Sequence, residues 1–376
     1  MITVEKIDTK DNKQVERFIR FQFDLYQDCP QWVPPFITDI KMMLNPKKHP
    51  FYDHSDAEFF MAVKDGKDVG RIAALENKPF NTYHNTKDAE FYFFDCINEQ
   101  EVANALFNTL FDWSKARGLD HIVGPKGMSP FDGYGIQVEG FEHRQMMTMM
   151  NYNYDYYQKL VENLGFEKEV DFVSCYIPAE KFHLDERINL IASKVVERGT
   201  FNVIRFKNKA ALVKYADRIG EAYNKTFVNN WEYYPLTQRE VKFVVDQIIT
   251  IANPKLIKII THGEDVVGFL FAFPDVSKAL QRAKGKLNLL SLIDIFLELG
   301  KTNWVSLNGA GVLPEYHGRG GNALMYAEME KTLHEFHFDH ADLTQVAETT
   351  KQMRKDLENV GGKAYKNHRV FHKHLR

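Results

Sequence analysis

The stretch that decides the fold is GAGVLPEYHGRGGNAL, residues 309–324. Residues 304–312 are mostly apolar and predict a strand that runs into Pro314. After the glycines, apolar residues recur from Leu324 to Leu333 at the spacing of one helix face. Glycine lets the backbone approach a ligand closely, and the first N–H groups of a helix point at an anion. The stretch therefore predicts a strand, a phosphate-binding turn and a helix.

Glycine-rich turns also connect strands to helices in many proteins that bind nothing there, because glycine tolerates positive φ. The frame around this turn is more specific: V-x-P, an aromatic residue and H-G-R-G occupy residues 312–320 before the amphipathic helix. This frame resembles the acyl-CoA pyrophosphate loop of the GNAT N-acyltransferase superfamily. Two positions depart from that pattern, since His317 stands where Arg or Gln is usual and Asn322 stands where Gly or Ala is usual.

Composition indicates a globular protein that is long enough for two domains. The chain has 376 residues, of which 44% are hydrophobic and 26% charged, and its net charge is −3. This charge argues against binding of nucleic acid or a membrane surface by bulk electrostatics. No apolar run approaches the about 18 residues of a membrane helix, and no signal-peptide pattern opens the chain. We expect a cytoplasmic protein without a nucleic-acid or membrane partner; its oligomeric state is not predicted.

The second half of the sequence repeats landmarks of the first half. Trp32 and Trp231, and likewise Gly70 and Gly268, lie about 200 residues apart. A single repeat of such a long period indicates a duplicated domain, because the repeats of a solenoid are far shorter. The sequence therefore predicts two related domains.

Each half has the predicted element order β-α-α-β-β-β-α-β-α-β, which is the order of the GNAT fold. The resemblance implies an α+β protein (α/β three-layer) with two tandem GNAT-like domains, each a mixed, mostly antiparallel sheet flanked by helices. A degenerate domain is predicted over residues 1–180, and an acyltransferase-like domain with the pyrophosphate loop over residues 181–376. Further stretches, among them residues 32–35, 151–153 and 361–362, resemble a bacterial family of tandem-GNAT, YghO-like proteins.

The first copy has no glycine loop at the matching place. Between a predicted strand at residues 90–97 and a predicted helix at residues 102–117 stands the sequence NEQE. Its two glutamates suit the start of a helix, where the helix dipole favours negative charge, but they repel a pyrophosphate. The first copy is therefore predicted not to bind CoA.

By resemblance, acetyl-CoA or another acyl-CoA is the co-substrate of the second copy, and no metal is needed. Gly311 and Val312 are implied to line the thioester and the pantetheine arm. The residues implied to offer amides or charge to the pyrophosphate are His317, Gly318, Arg319, Gly320, Gly321 and Asn322.

Amine attack on a thioester needs a polarised carbonyl and a route for the amine proton. Asp342, on a predicted strand, is the candidate base; the alternative is an ordinary strand position. The tyrosine that GNAT enzymes often use as an acid has no counterpart, because Leu357 stands at its spacing.

Acceptor-binding residues are predicted in an aromatic turn and at the end of a hairpin. These candidates are Asn230, Trp231, Tyr233 and Asp275. An aromatic turn that only anchors the chain is the alternative, although loops on a rigid scaffold often carry function.

The favoured function is transfer of an acyl group, with acetyl-CoA as the first choice of donor, to an unidentified amine. The alternative is a non-catalytic tandem-GNAT protein that binds acyl-CoA or another ligand. Transfer from an aminoacyl-tRNA is disfavoured because the pI of about 6.5 argues against RNA binding.

Overall fold

A computed structural model describes residues 1–147, 150–178 and 183–375. The boundary predicted between residues 180 and 181 lies outside the described residues. The architecture is the predicted one, with mixed sheets flanked by helices. None of the helices in this described part of the chain is long and apolar enough to cross a membrane.

Two compact units make up the chain, and each draws on segments that are remote in sequence. Unit 1 consists of Met1–Phe172, Ser277–Ile295 and Lys366–Arg376. Unit 2 consists of Val173–Val276 and Phe296–Tyr365.

The strands and α-helices of the first half are, in chain order, β1 (Ile2–Lys6), α1 (Asn12–Leu25), α2 (Ile37–Met43), β2 (Asp56–Lys64), β3 (Lys67–Glu76), α3 (Lys78–His84), β4 (Asp88–Cys96), α4 (Gln100–Ala116), β5 (His121–Gly124), β6 (Ile136–Glu139), α5 (Tyr156–Glu162) and β7 (Glu167–Pro178).

The elements of the second half are, in chain order, α6 (Glu186–Glu197), β8 (Asn202–Ile204), α7 (Lys209–Val213), α8 (Ala216–Thr226), α9 (Gln238–Ile248), β9 (Ile257–His262), β10 (Asp265–Pro274), α10 (Ser277–Ala283), α11 (Leu289–Leu299), β11 (Trp304–Val312), α12 (Gly321–Glu335), β12 (His340–Ala347), α13 (Lys351–Asn359) and β13 (Lys363–His374).

The sheet of unit 1 has the strand order β1-β2-β3-β4-β5-β13. Its pairs are antiparallel except for β4 and β5, which run parallel. Strands β2 and β3 form a hairpin over Asp65 and Gly66, as the turn sequence KDGK at residues 64–67 predicts, and the φ angles of 51° and 77° of these two residues suit a tight hairpin turn. In unit 2 the order is β12-β11-β10-β9-β8, and β11 and β12 are the parallel pair.

Parallel pairing is short in both units. In unit 1 it joins residues 88–90 to residues 121–123, and in unit 2 it joins residues 304–307 to residues 340–343. Both β4 and β11 continue beyond this pairing, held by their antiparallel neighbours β3 and β10. The parallel strands therefore part, and each sheet opens on one side.

A β-bulge lies next to each opening. In unit 1, two residues of β4 lie opposite a single residue of β3, Ile72. In unit 2, two residues of β11 lie opposite a single residue of β10, Phe271. At these places Phe93 has φ 48° and Gly309 has φ 133°. Bulges of this kind bend a strand and redirect its backbone groups.

Two parts of the second half differ from the sequence prediction. The sequence predicts no element over residues 277–299, whereas the structure has the two helices α10 and α11 there. The sequence of residues 210–227 predicts one continuous helix, whereas the structure has two, α7 and α8, separated by Lys214 and Tyr215.

The core of unit 1 contains a buried ion pair between Arg71 and Asp95. Arg71 Nε lies 2.8 Å from Asp95 Oδ2, and Arg71 Nη1 donates to the carbonyl of Phe18. The hydroxyls of Tyr26 and Tyr157 donate to Asp95 Oδ1 at 3.1 and 3.3 Å. Both charges are therefore compensated inside an otherwise apolar core.

Replacing Arg71 by Met leaves the Asp95 carboxylate buried without its cation. We expect the free energy of unfolding to fall by about 3–5 kcal/mol, measured as a shift of the urea midpoint. Lys242→Met is the matched control, because it removes an exposed ion pair with Asp246 and should change stability by at most about 1 kcal/mol. A loss below about 1 kcal/mol for Arg71→Met contradicts this account.

Candidate functional site

The glycine turn of unit 2 connects β11 to α12 as the sequence predicts. A short 3₁₀ turn at Pro314–Tyr316 follows β11, and α12 begins at Gly321. Gly318 and Gly320 have φ angles of 74° and 85°, which other residues rarely adopt. A Cβ on Gly320 would also come within 2.6 Å of Val195 on α6. Glycine is therefore required at the helix start for both conformation and space.

The turn opens onto a cavity of about 590 Å³. The N–H groups of the first helical turn have no partner within the helix, so they are available to a bound anion. The predicted residues that line the cavity are Val312, His317, Gly318, Gly320, Gly321 and Asn322.

Two of the predicted loop residues do not line this cavity. Gly311 is buried in β11, where a Cβ would meet Thr226 at 2.3 Å. Arg319 is exposed, with its guanidinium carbon 5.1 Å from the centre of the Tyr316 ring.

His317 binds the protein's own backbone. Its Nε2 lies 2.8 Å from the carbonyl oxygen of Val312, so the ring donates its Nε2 proton to that oxygen. This bond ties the end of β11 to the glycine turn. The unusual residue at this position therefore has a structural partner that stabilises the turn.

Further walls of the cavity come from helices that the sequence analysis did not connect with the turn. Ile188 and Ile191 of α6 line one side, and Gln352 and Asp356 of α13 line another. The Asp356 carboxylate accepts a hydrogen bond from Gln352 Nε2 at 2.8 Å. No sequence spacing relates these helices to the turn, because only tertiary packing brings them together.

Asn322, the second departure from the family pattern, also has a partner within the protein. Its Nδ2 lies 3.5 Å from Asp356 Oδ2. Asn322 thus connects the start of α12 to α13 across the cavity wall.

Tyr326 lies one turn further along α12 and also lines the cavity. Burial and the neighbouring Asp356 carboxylate raise the pKa of its hydroxyl far above the usual value. The phenol therefore stays protonated at neutral pH and can donate a hydrogen bond.

A smaller, apolar cavity of about 70 Å³ shares Tyr326, Asp356 and Val360 with the first. It lies where the parallel strands part, because its wall includes Leu307 and Leu343, which form the last parallel pair. Its other apolar lining residues are Ile177, Leu184, Leu270, Met329, Leu333, Ala341 and Leu357.

Asp342, the predicted base, is fully buried on β12. Its Oδ1 accepts a hydrogen bond from the Tyr365 hydroxyl at 2.6 Å, and its Oδ2 accepts one from the Thr344 hydroxyl at 2.5 Å. Thr344 Oγ1 is in turn 3.0 Å from Ser306 Oγ on β11. Asp342 is not among the residues that line the two cavities, and its role as a base stays a prediction.

The predicted acceptor residues do not line these cavities either. Tyr233 is buried, and its hydroxyl donates to the carbonyl of Asn224 at 2.7 Å. Asp275 is buried at the end of β10. Asn230 and Trp231 are half-buried in the turn before α9. An acceptor-binding role for these residues stays a prediction.

Unit 1 has an ion pair where unit 2 has the glycine turn. Glu99 precedes α4, and Lys64 Nζ lies 2.5 Å from Glu99 Oε2. Glu101 adds a second carboxylate in the first turn of the helix. This helix start carries acids where the start of α12 offers glycine amides.

No family model matches the chain. Two curated proteins are similar over nearly their whole lengths. "Bacterial ceramide synthase" of Caulobacter vibrioides is 27% identical over 379 residues, which cover 98% of this chain and 97% of that protein. "Protein YghO" of Escherichia coli is 24% identical over 371 residues, which cover 97% of this chain and 94% of that protein.

A solved tandem GNAT protein from the clavulanic acid biosynthesis pathway has the same fold. Its TM-score is 0.57 at 10% sequence identity, and the match covers 100% of this chain and 98% of that one. The chain has the tandem-GNAT fold and is similar to YghO over nearly its whole length. The predicted fold and family resemblance are therefore confirmed, and at this identity the solved structure is informative about the fold alone.

Proposed function

We propose that this tandem-GNAT protein is an acyl-CoA-dependent N-acyltransferase that transfers a fatty acyl group to the amine of a lipid-like acceptor. One observation carries the proposal. The cavity at the glycine turn and the apolar cavity between the parting strands share Tyr326, Asp356 and Val360. A donor with a charged head and an apolar tail matches this pair of cavities.

The glycine turn supports binding of the CoA pyrophosphate. Gly318 and Gly320 keep side chains away from the anion, and the first amides of α12 supply hydrogen-bond donors beside the positive end of the helix dipole. Asp356 is the one acidic residue among those described on the wall of this cavity, and it accepts hydrogen bonds from Asn322 and Gln352.

The apolar lining of the smaller cavity favours a fatty acyl group over acetyl, the donor first expected, and its volume of about 70 Å³ holds the first few methylenes of the chain. Leucine, isoleucine and methionine side chains line it, and burial of each methylene of an acyl chain there contributes about 0.8 kcal/mol. A relative named as a ceramide synthase adds weight to this choice, because a ceramide is a long-chain amino alcohol with a fatty acyl group on its nitrogen.

In the proposed reaction the amine nitrogen attacks the thioester carbon. The C–N bond forms, the C–S bond breaks and CoA leaves as the thiolate. Tyr326 donates a hydrogen bond to the sulfur as its negative charge develops. Asp342 remains the proposed acceptor of the amine proton, relayed through the hydroxyl of Tyr365 or Thr344.

Donor binding is tested by calorimetric titration of CoA into Gly318→Asp. Gly318 has open space around it, so the new carboxylate meets no neighbouring atom, and the backbone strain of an aspartate at positive φ is shared by the control variant described next. We expect affinity for CoA to fall at least tenfold, because the carboxylate repels the pyrophosphate.

Gly263→Asp is the matched control for this experiment. Gly263 also has positive φ and open space, but it lies in the β9–β10 turn. Its variant should bind CoA like the unaltered protein. Equal affinities in both variants would place the CoA site elsewhere and remove the basis of the proposal.

Acyl-chain length is tested by Leu343→Phe, which fills the apolar cavity. With sphinganine as acceptor and mass spectrometric detection of the amide, we expect kcat/KM for palmitoyl-CoA to fall about tenfold or more relative to that for acetyl-CoA. The ratio of the two donors within one variant corrects for any general loss of active protein. An unchanged ratio argues against an acyl site between β11 and β12.

Tyr326→Phe removes the proposed hydrogen bond to the leaving sulfur. We expect kcat to fall about 10²-fold with little change in donor affinity, because the bond strengthens only as charge develops. Tyr316→Phe is the control, since Tyr316 lines the loop cavity and not the apolar one. Full donor binding without any CoA release in the unaltered protein would instead favour the non-catalytic alternative.

A further inference from the structure

Helix α11 exposes an unusually apolar surface. Leu289, Leu290 and Phe296 have 73%, 77% and 75% of their surface exposed. The other large apolar side chains exposed on this helix are Leu292, Ile293 and Leu297. Single exposed apolar residues are common on proteins, but a group on one helix marks an interaction surface.

These side chains form one continuous face. At about 100° of rotation per residue, the exposed apolar positions of α11 fall within an arc of about 160°. The opposite side carries Ser291 and Ile295, which are both buried. The helix is therefore amphipathic with its more apolar side turned to solvent, the reverse of the usual arrangement.

Exposed lysines stand at both ends of this face. Lys284 and Lys286 precede α11, and Lys301 follows it. The acidic residues of the helix point away from the apolar arc, since Asp294 and Glu298 fall on its far side by rotation. Asp294 is also neutralised by an ion pair with Arg282 at 2.8 Å.

We propose that α11 docks this protein onto the surface of an anionic lipid bilayer. The helix lies in the plane of the interface, with its leucine, isoleucine and phenylalanine side chains among the acyl chains and the lysines at the lipid phosphates. With 11 residues, α11 is too short to span a bilayer, which needs about 20.

The charges favour a bilayer over a second copy of the chain as the occupant. Both ends of the apolar face are basic, so a parallel or antiparallel pair of α11 helices brings lysines against lysines. An anionic surface instead neutralises both ends at once. The net charge of −3 does not oppose this docking, because the basic residues are local to the helix.

The test is co-sedimentation of the full chain with sucrose-loaded vesicles. One set of vesicles contains phosphatidylcholine alone, and the other contains phosphatidylcholine with a 30% share of phosphatidylglycerol as the anionic lipid. We expect binding to the anionic vesicles, at least tenfold weaker binding to the neutral ones, and loss of binding at high salt.

Two variants separate the apolar and the charged contributions. Leu290→Ser with Phe296→Ser removes exposed side chains only and should lower binding to anionic vesicles at least tenfold. Lys284→Gln with Lys286→Gln and Lys301→Gln should lower it by a similar factor and abolish the salt dependence. Val196→Ser with Val213→Ser is the control, because both valines are exposed on other helices.

Three results overturn the proposal: no binding of the unaltered chain to anionic vesicles, undiminished binding of the Leu290 and Phe296 variant, or an equal loss of vesicle binding in the control variant.

Light scattering tests for the other occupant, a second copy of the chain. A dimer that becomes a monomer in the Leu290 and Phe296 variant, without vesicle binding, assigns the face to a second copy. Vesicle binding is measured without CoA or acceptor, so the result of this test does not depend on whether the protein transfers an acyl group.

Discussion

The candidate site depends on the separation of β11 and β12 after Leu307 and Leu343. Parallel strands need a crossover, and α12 supplies it, so the helix start and the strand ends lie at the same edge of the sheet. Because pairing stops after four residues on each strand, the two strands line an opening instead of closing the sheet. The bulge on β11 and the two cavities that share Tyr326 all lie along this opening or at its edge.

The glycine turn combines backbone freedom with side-chain bonds inside the protein. His317 and Asn322 both depart from the family pattern, and each has an internal partner, the Val312 carbonyl and the Asp356 carboxylate. Unit 1 has the same frame of parting strands and a bulge, yet its turn carries the Lys64–Glu99 ion pair. The two units therefore share one backbone arrangement. A few residues at the start of a helix decide whether that place offers backbone amides or an ion pair.

Local sequence patterns predict the strand, turn and helix at the site correctly, but they do not predict helix α11 at the surface. The hairpin turns and the strand–turn–helix frame were predictable because glycine positions and residue periodicity act over a few residues. The sequence predicts no element over residues 289–299, because apolar residues dominate this segment and its few polar residues do not mark a helix period clearly. Tyr233 is predicted to bind the acceptor because it lies in an aromatic turn, and that role stays a prediction. Its hydroxyl donates a hydrogen bond to the backbone carbonyl of Asn224, a contact that no local pattern predicts.

The sequence by itself determined the duplicated GNAT plan, the glycine turn of the second copy and the lack of one in the first, because these depend on residue types at fixed local spacing. Only the tertiary structure decided that Tyr326 and Asp356 meet at the junction of two cavities, and that Lys366–Arg376 belongs to unit 1. It also decided which face of α11 meets solvent. Such contacts depend on strand register and helix packing between distant segments, which no local periodicity encodes.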